Sequence, residues 1–315
     1  SLRGKLMTTA YYSHKVCIDH QPGPGHPESP ERLKAIYQTL DGNDFGSLKR
    51  LDAPKAKPNV VELMHDTSYV NYVLDSIPSE GYKALDPDTY VSPSSGEAAL
   101  YAIGGVCDAI DLVVRGEADN AFCAFRPPGH HAERDRAMGF CLFNNVAVAA
   151  KYAQVRHGIE KVAVVDFDVH HGNGTQHMFE IDPSLFYASS HQVPAYPGTG
   201  AALDKGVGNI FNVPLNPNSG SVEFRMAYTD VIIPALEKFK PDFILISAGF
   251  DAHASDPLCQ LNVKTEDFGW ITEQLLRVAS ESCDGKVIST LEGGYDLKAL
   301  SDSVAAHVHA LMLNV

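Results

Sequence analysis

The sequence predicts an α/β fold, a doubly wound and mostly parallel sheet with helices on both faces. Short apolar runs alternate with helical patterns along most of the chain. The runs are nearly continuous in apolar residues, as central parallel strands covered on both faces require. Four of them lead into glycine-containing turns that carry His, Asp or Tyr.

The elements follow in order. Ser29 and Pro30 supply an N-cap and a first-turn proline, and Leu33, Ile36, Tyr37 and Leu40 then repeat at helical spacing. A helix is predicted over 96–114, a strand over 121–125 and a helix over 145–157. Strands are predicted at 162–165, 185–189 and 210–213, followed by a helix over 222–238 and a strand over 243–247. A helix capped by Thr265 is predicted over 265–279, a strand over 287–291 and a last helix over 297–313.

No internal repeat or linker divides the 315 residues, so a single domain is expected over 1–315. Met7 is the expected start, with 1–6 an appended remnant, and no apolar signal segment is evident there. At 44% apolar and 20% charged residues the composition is that of an ordinary globular protein. No apolar run is long enough to span a bilayer, so no membrane is expected. The six cysteines form no C-x-x-C pair, which argues against a disulfide framework and for a reducing, cytoplasmic location. A net charge of −14 argues against direct nucleic-acid binding and suits a cationic substrate.

The chemistry lies beyond the strand ends. The run 121–125 leads into Arg126, Pro127, Pro128, Gly129, His130 and His131; 162–165 leads into Asp166, Asp168, His170, His171 and Asn173. The run 243–247 leads into Asp251, His253 and Asp256, and 287–291 into Glu292, Gly293, Gly294 and Tyr295. Open parallel sheets bind ligands beyond the carboxyl ends of their strands, so these side chains converge. Asp168 and His170, two apart on an extended segment, point to one side and can share an ion. Asp251 or Asp256 would supply a third ligand. Three protein ligands and an open position mark a catalytic zinc site, although iron accepts the same donors. Bound zinc would lower the pKa of water to about 7, a nearby histidine would move the proton, and Tyr295 would donate to an oxyanion. His14, His20, His65, His157, His177, His307 and His309 read as ordinary structural histidines, and Cys141 as a core thiol.

These motifs resemble the histone deacetylase / acetylpolyamine amidohydrolase family, and within it the class II-like zinc-dependent deacetylases, with an arginase/deacetylase-like fold. The resemblance runs from His26, Pro27, Glu28 and Arg32 through 126–131, 139–145 and 166–174 to 291–296. It implies that Asp168, His170 and Asp256 hold one zinc ion. His131, oriented by Asn173, would be the general base, and His130 with Asp166 an electrostatic partner. Tyr295 would stabilise the oxyanion, and Gly139, Phe140 and Tyr196 would wall a substrate tunnel. Arg32 resembles the arginine beside the family's internal acetate channel. A structural potassium would bind at Asp166, Asp168, His170, Ser189 and Ser190.

The expected activity is removal of an acetyl or other acyl group from an acyl-lysine protein or peptide, or from an acylated polyamine or small amine. A homo-oligomer is compatible with this. An acetylpolyamine-specific enzyme is the alternative; a dimetal ureohydrolase of the arginase kind would need further carboxylates. The loop over 77–95, with Glu80, Asp86 and Asp88, could meet a basic substrate, although a solvated surface is the simpler reading.

Overall fold

The computed structural model describes residues 7–313, so the expectation for 1–6 lies outside the described residues. Eight strands form one sheet: β1 (Thr9–Ser13), β2 (Lys49–Asp52), β5 (Asn120–Cys123), β6 (Val162–Asp166), β7 (Leu185–Gln192), β8 (Ile210–Leu215), β9 (Phe243–Ala248) and β10 (Val287–Leu291). β3 (Lys83–Asp86) and β4 (Thr89–Val91) make a separate antiparallel pair. The sheet order is β2-β1-β5-β10-β9-β6-β7-β8, and every pairing in it is parallel.

Every residue of β5, β6, β9 and β10 is buried, so successive side chains find cover on both faces. That cover comes from helices such as Ser95–Val114, Asn145–His157, Thr265–Ser282 and Leu297–Met312. Ala, Val, Leu and Ile dominate the shared core. All six predicted strands are present, with ends shifted by up to three residues.

Three local expectations change. The helix foreseen over 222–238 contains a π-helical segment, Ala227–Ile232, between two α-helical ones. The cap of Thr265–Ser282 is not Thr265, whose hydroxyl instead meets His253 Nε2 at 3.0 Å. There Asp267 Oδ2 accepts from the Lys264 amide at 2.8 Å. The Ser29–Pro30 helix starts at Glu31, without a side-chain cap.

Candidate active site

β5, β10, β9 and β6 are neighbours in the sheet, and they are the four strands whose following turns carry the candidate residues. Sheet order therefore brings together residues more than 160 positions apart in sequence, as when Glu292 Oε2 accepts from the Gly129 and His130 amides at 2.8 and 3.2 Å. A cavity of about 270 Å³ opens there, lined by Asp88, His131, Gly139, Phe140, His170, Tyr196, Leu258 and Tyr295.

At its floor, one ligand atom from each of Asp168, His170 and Asp251 lies within 4.8 Å of the others. His170 Nδ1 is 3.2 Å from Asp168 Oδ1 and 3.1 Å from Asp251 Oδ2. Backbone donors hold both carboxylates: Gly293 N to Asp168 Oδ2 at 2.9 Å, and Val169 N to Asp251 Oδ1 at 2.9 Å. Gly293 must lack a side chain, since a Cβ would come within 2.3 Å of Asp251 Oδ2 and 2.6 Å of Asp168 Oδ2.

Asp256, the third ligand that the resemblance implies, lies beside this group, where its carboxyl feels the charges of Asp251 and Asp168. Its oxygens accept from the Tyr295 amide at 2.8 Å and the Leu258 amide at 3.0 Å, as both Asp168 oxygens accept from backbone amides, and each keeps a lone pair for an ion. Asp251 follows β9 after only two residues, and Asp256 stands five further along the same turn.

The donor set fits a divalent cation. Burial and the neighbouring Asp168 charge raise the Asp251 carboxyl, while burial and Asp251 push Asp256 up to about 7. Carboxylates crowded out of water in this way are relieved by a bound positive ion. Among the described residues this is the group of His, Cys, Asp and Glu close enough to share one ion.

The two histidines of the Gly129–His131 turn sit in opposite fields. His130 Nδ1 lies 2.8 Å from Asp166 Oδ2, which also accepts from the Tyr187 hydroxyl at 2.7 Å. Burial opposes its charge, but Asp166, Asp168 and Glu292 outweigh that and push it up to about 10. His131 is held well below the usual histidine range by burial and by the charges of His130 and His170. Its Nδ1 lies 2.8 Å from Asn173 Oδ1. An amide oxygen only accepts, so Nδ1 carries the proton and Nε2 is free to receive one.

Tyr295 sits edge-on to Phe140 with ring centroids 5.9 Å apart, and the Arg32 guanidinium lies 4.9 Å from its ring centre. Burial raises its phenol well above the usual range, so it stays a donor. Gly139 has φ +58°, and a Cβ there would come within 2.4 Å of the His131 ring, so the cavity wall needs glycine. Tyr196 stands edge-on to His131 at 5.2 Å with 41% of its surface exposed.

Arg32 is fully buried, paired with Glu28 at 2.8 Å and donating to the Gly294 and Glu292 carbonyls. The residues expected to hold potassium are buried, Asp166 at the end of β6 in register with Ser189 of β7, with Ser189 Oγ 2.8 Å from His191 Nδ1 and Ser190 Oγ 2.7 Å from the Tyr228 hydroxyl. Of the loop acids, Asp86 pairs with Arg136 at 3.1 Å, and Asp88 borders the cavity. Cys141 is buried, and burial raises its thiol well above the usual range.

Sequence reasoning placed Glu292 at the strand end without a role, passed over Glu133, and left His177 among structural histidines. Glu133 accepts from Asn173 Nδ2 at 3.1 Å and pairs with His177. The spacing of Asn173 and His177, four residues apart on the helix Asn173–Phe179, was the available signal for the latter.

No described helix is long and apolar enough to cross a membrane. The model of the histone deacetylase domain family matches residues 26–311. Histone deacetylase 14, chloroplastic, of Arabidopsis thaliana is 37% identical over 96% of this chain and 76% of its own. The histone deacetylase-like amidohydrolase of Pseudomonas aeruginosa is 36% identical over 91% of this chain and 81% of its own. The crystal structure of the HDA15 HD domain, at 37% identity, superposes with a TM-score of 0.92 over 97% of this chain and 88% of that one. Fold, turn motifs and whole-length similarity agree, and the chain belongs to the histone deacetylase family.

Proposed function

We propose that this chain works as one zinc-dependent deacetylase domain, an amidohydrolase that removes an acetyl or other acyl group from an acyl-lysine or acyl-amine. The observation that carries the reading is the grouping of Asp168, His170 and Asp251 at the floor of a cavity that also presents His131 and Tyr295. Asp168, His170 and Asp256 hold the ion, with the buried Asp251 carboxylate beside them. Bound there, zinc supplies a water of lowered pKa and a Lewis acid for the amide carbonyl.

The chain's own groups do the rest. His131 Nε2 takes the proton from the attacking water and passes it to the leaving amine, while Asn173 holds Nδ1–H in place. His130, kept positive by Asp166, offsets the crowd of carboxylates beside the developing charge. The Tyr295 hydroxyl donates to the carbonyl oxygen as it becomes an oxyanion. Gly139, Phe140 and Tyr196 enclose an aliphatic stem and keep water from the amide. Asp88 at the mouth suits the amine-bearing part of either a peptide or a polyamine. Asp166, Asp168 and His170, with Ser189 and Ser190 of β7, are assigned to a structural potassium.

All six cysteines are free thiols, which supports a reducing compartment such as the cytoplasm. Turnover of an acetyl-lysine reporter should vanish with a chelator and return with zinc. Tyr295→Phe should keep the metal and lose about a hundredfold or more in kcat. Full activity after metal removal, or two manganese ions per chain with urea release, would overturn the reading.

A further inference from the structure

The partner of His131 is an amide, which is neutral, although the histidine must carry a positive charge once it has taken a proton. Asn173 Oδ1 faces His131 Nδ1 at 2.8 Å. The nitrogen of the same amide has three acceptors: the His131 carbonyl at 3.1 Å, Met138 Sδ at 3.4 Å and Glu133 Oε2 at 3.1 Å. Only the last is an anion. Its carboxylate is held from the other side by His177, whose Nδ1 lies 2.8 and 2.5 Å from the two oxygens. The Glu133 side chain is 18% exposed and that of His177 47%, so the line His177, Glu133, Asn173, His131 runs from solvent into the cavity.

Two physical effects follow. Donation to a carboxylate polarises the amide and leaves more negative charge on Oδ1, toward the imidazole. The carboxylate also fixes which end of the amide faces His131. A flipped amide would turn its NH₂ toward Nδ1, which could then only accept, and the ring proton would move to Nε2. That ring could not act as a base from the cavity side.

We infer that Glu133 is a positioning residue: its carboxylate locks the Asn173 amide and, through it, lends His131 the negative charge that the neutral amide lacks. This rests on the reading of His131 as the general base. His177 anchors the carboxylate and, being at the surface, is itself screened by solvent. Glu180 and Asp204 face His177 from nearby, and Arg134 and Arg136 flank Glu133 around the same shallow surface cavity.

A charge swap on the zinc-loaded enzyme tests this. Glu133→Gln should lower kcat about tenfold with KM changed less than about twofold. Asn173→Asp alone should also lose activity, because it sets two carboxylates against each other at a buried contact. The double variant Glu133→Gln/Asn173→Asp exchanges amide and carboxylate along the same line, and its kcat should return to within about threefold of wild type. A residue that merely supports the loop would give no such recovery. ¹⁵N histidine spectra should show His131 as the Nδ1–H tautomer in wild type and mixed in Glu133→Gln.

Wild-type kcat and an unchanged tautomer in Glu133→Gln would overturn the inference. So would a double variant no faster than the slower single one. Should Asn173→Asp fail to fold, the Glu133→Gln spectrum and kcat decide. If wild type cleaves no acyl-amide at all, the deacetylase reading fails, and the tautomer still tests Glu133 separately.

Discussion

Asp251 and Asp256 lie five residues apart, and burial beside Asp168 raises both carboxyls. Asp251 is fully buried against His170 and Val169, with one oxygen toward the imidazole. Asp256 spends both oxygens on backbone amides, one of them that of Tyr295, and so steadies the turn that presents the phenol. Asp256→Asn should lower zinc from about one ion per chain to near none, whereas Asp251→Asn should keep the ion and lose mainly kcat. Elemental analysis of the two purified variants separates these outcomes, and the reverse pattern would make Asp251 the ligand. A sequence shows that both aspartates follow β9, but the path of a turn is a property of space. The same limit hid Glu133, which meets Asn173 across a gap of 40 residues.

The elements were far more legible than the site's finer contacts. Runs such as Phe243–Ala248 and Val287–Leu291 carry apolar side chains on both faces, which a buried parallel strand demands and a surface segment does not. Two strands lack that signature. The edge strand β2 reads Lys-Arg-Leu-Asp and is mostly exposed, and β1, although buried and paired on both sides, reads Thr-Ala-Tyr-Tyr-Ser, so neither was predicted. The π-helical segment at Ala227–Ile232 was equally hidden, since its apolar period hardly departs from that of an α-helix. The turns after the strands leave room for little but their own residues. Gly293→Ala should destabilise the fold by about 1–3 kcal/mol and weaken zinc binding by tenfold or more, because the new methyl group lands on the carboxylates of Asp168 and Asp251. Denaturant unfolding and a competitive chelator titration would check both, and wild-type values in each would show that the turn yields freely.

For the whole molecule, buried neutral histidines set the response to acid. Burial lowers His20 and His307 to about 3 and His65 to about 4, against about 6.5 in an unfolded chain. The unfolded chain thus takes up protons that the folded one refuses. The contribution of these three residues should be full above about pH 6.5 and decline as pH falls, with a slope of up to about 1.4 kcal/mol per pH unit for each. Urea midpoints at pH 7.5 and 5.5 should differ accordingly. His307→Gln, which removes a ring lodged between Thr272 and Ser289, should flatten the dependence; an equally steep one would count against this assignment. The strand order has a consequence for synthesis. β10, last in chain order among the sheet's described strands, is inserted between β5 and β9. A growing chain therefore holds a vacant slot at the middle of its sheet, with two unpaired central edges, until residue 291 is free to enter. Assembly of this enzyme should be a late, all-at-once event, and polypeptides halted before that strand should be clients for chaperones rather than partly active fragments.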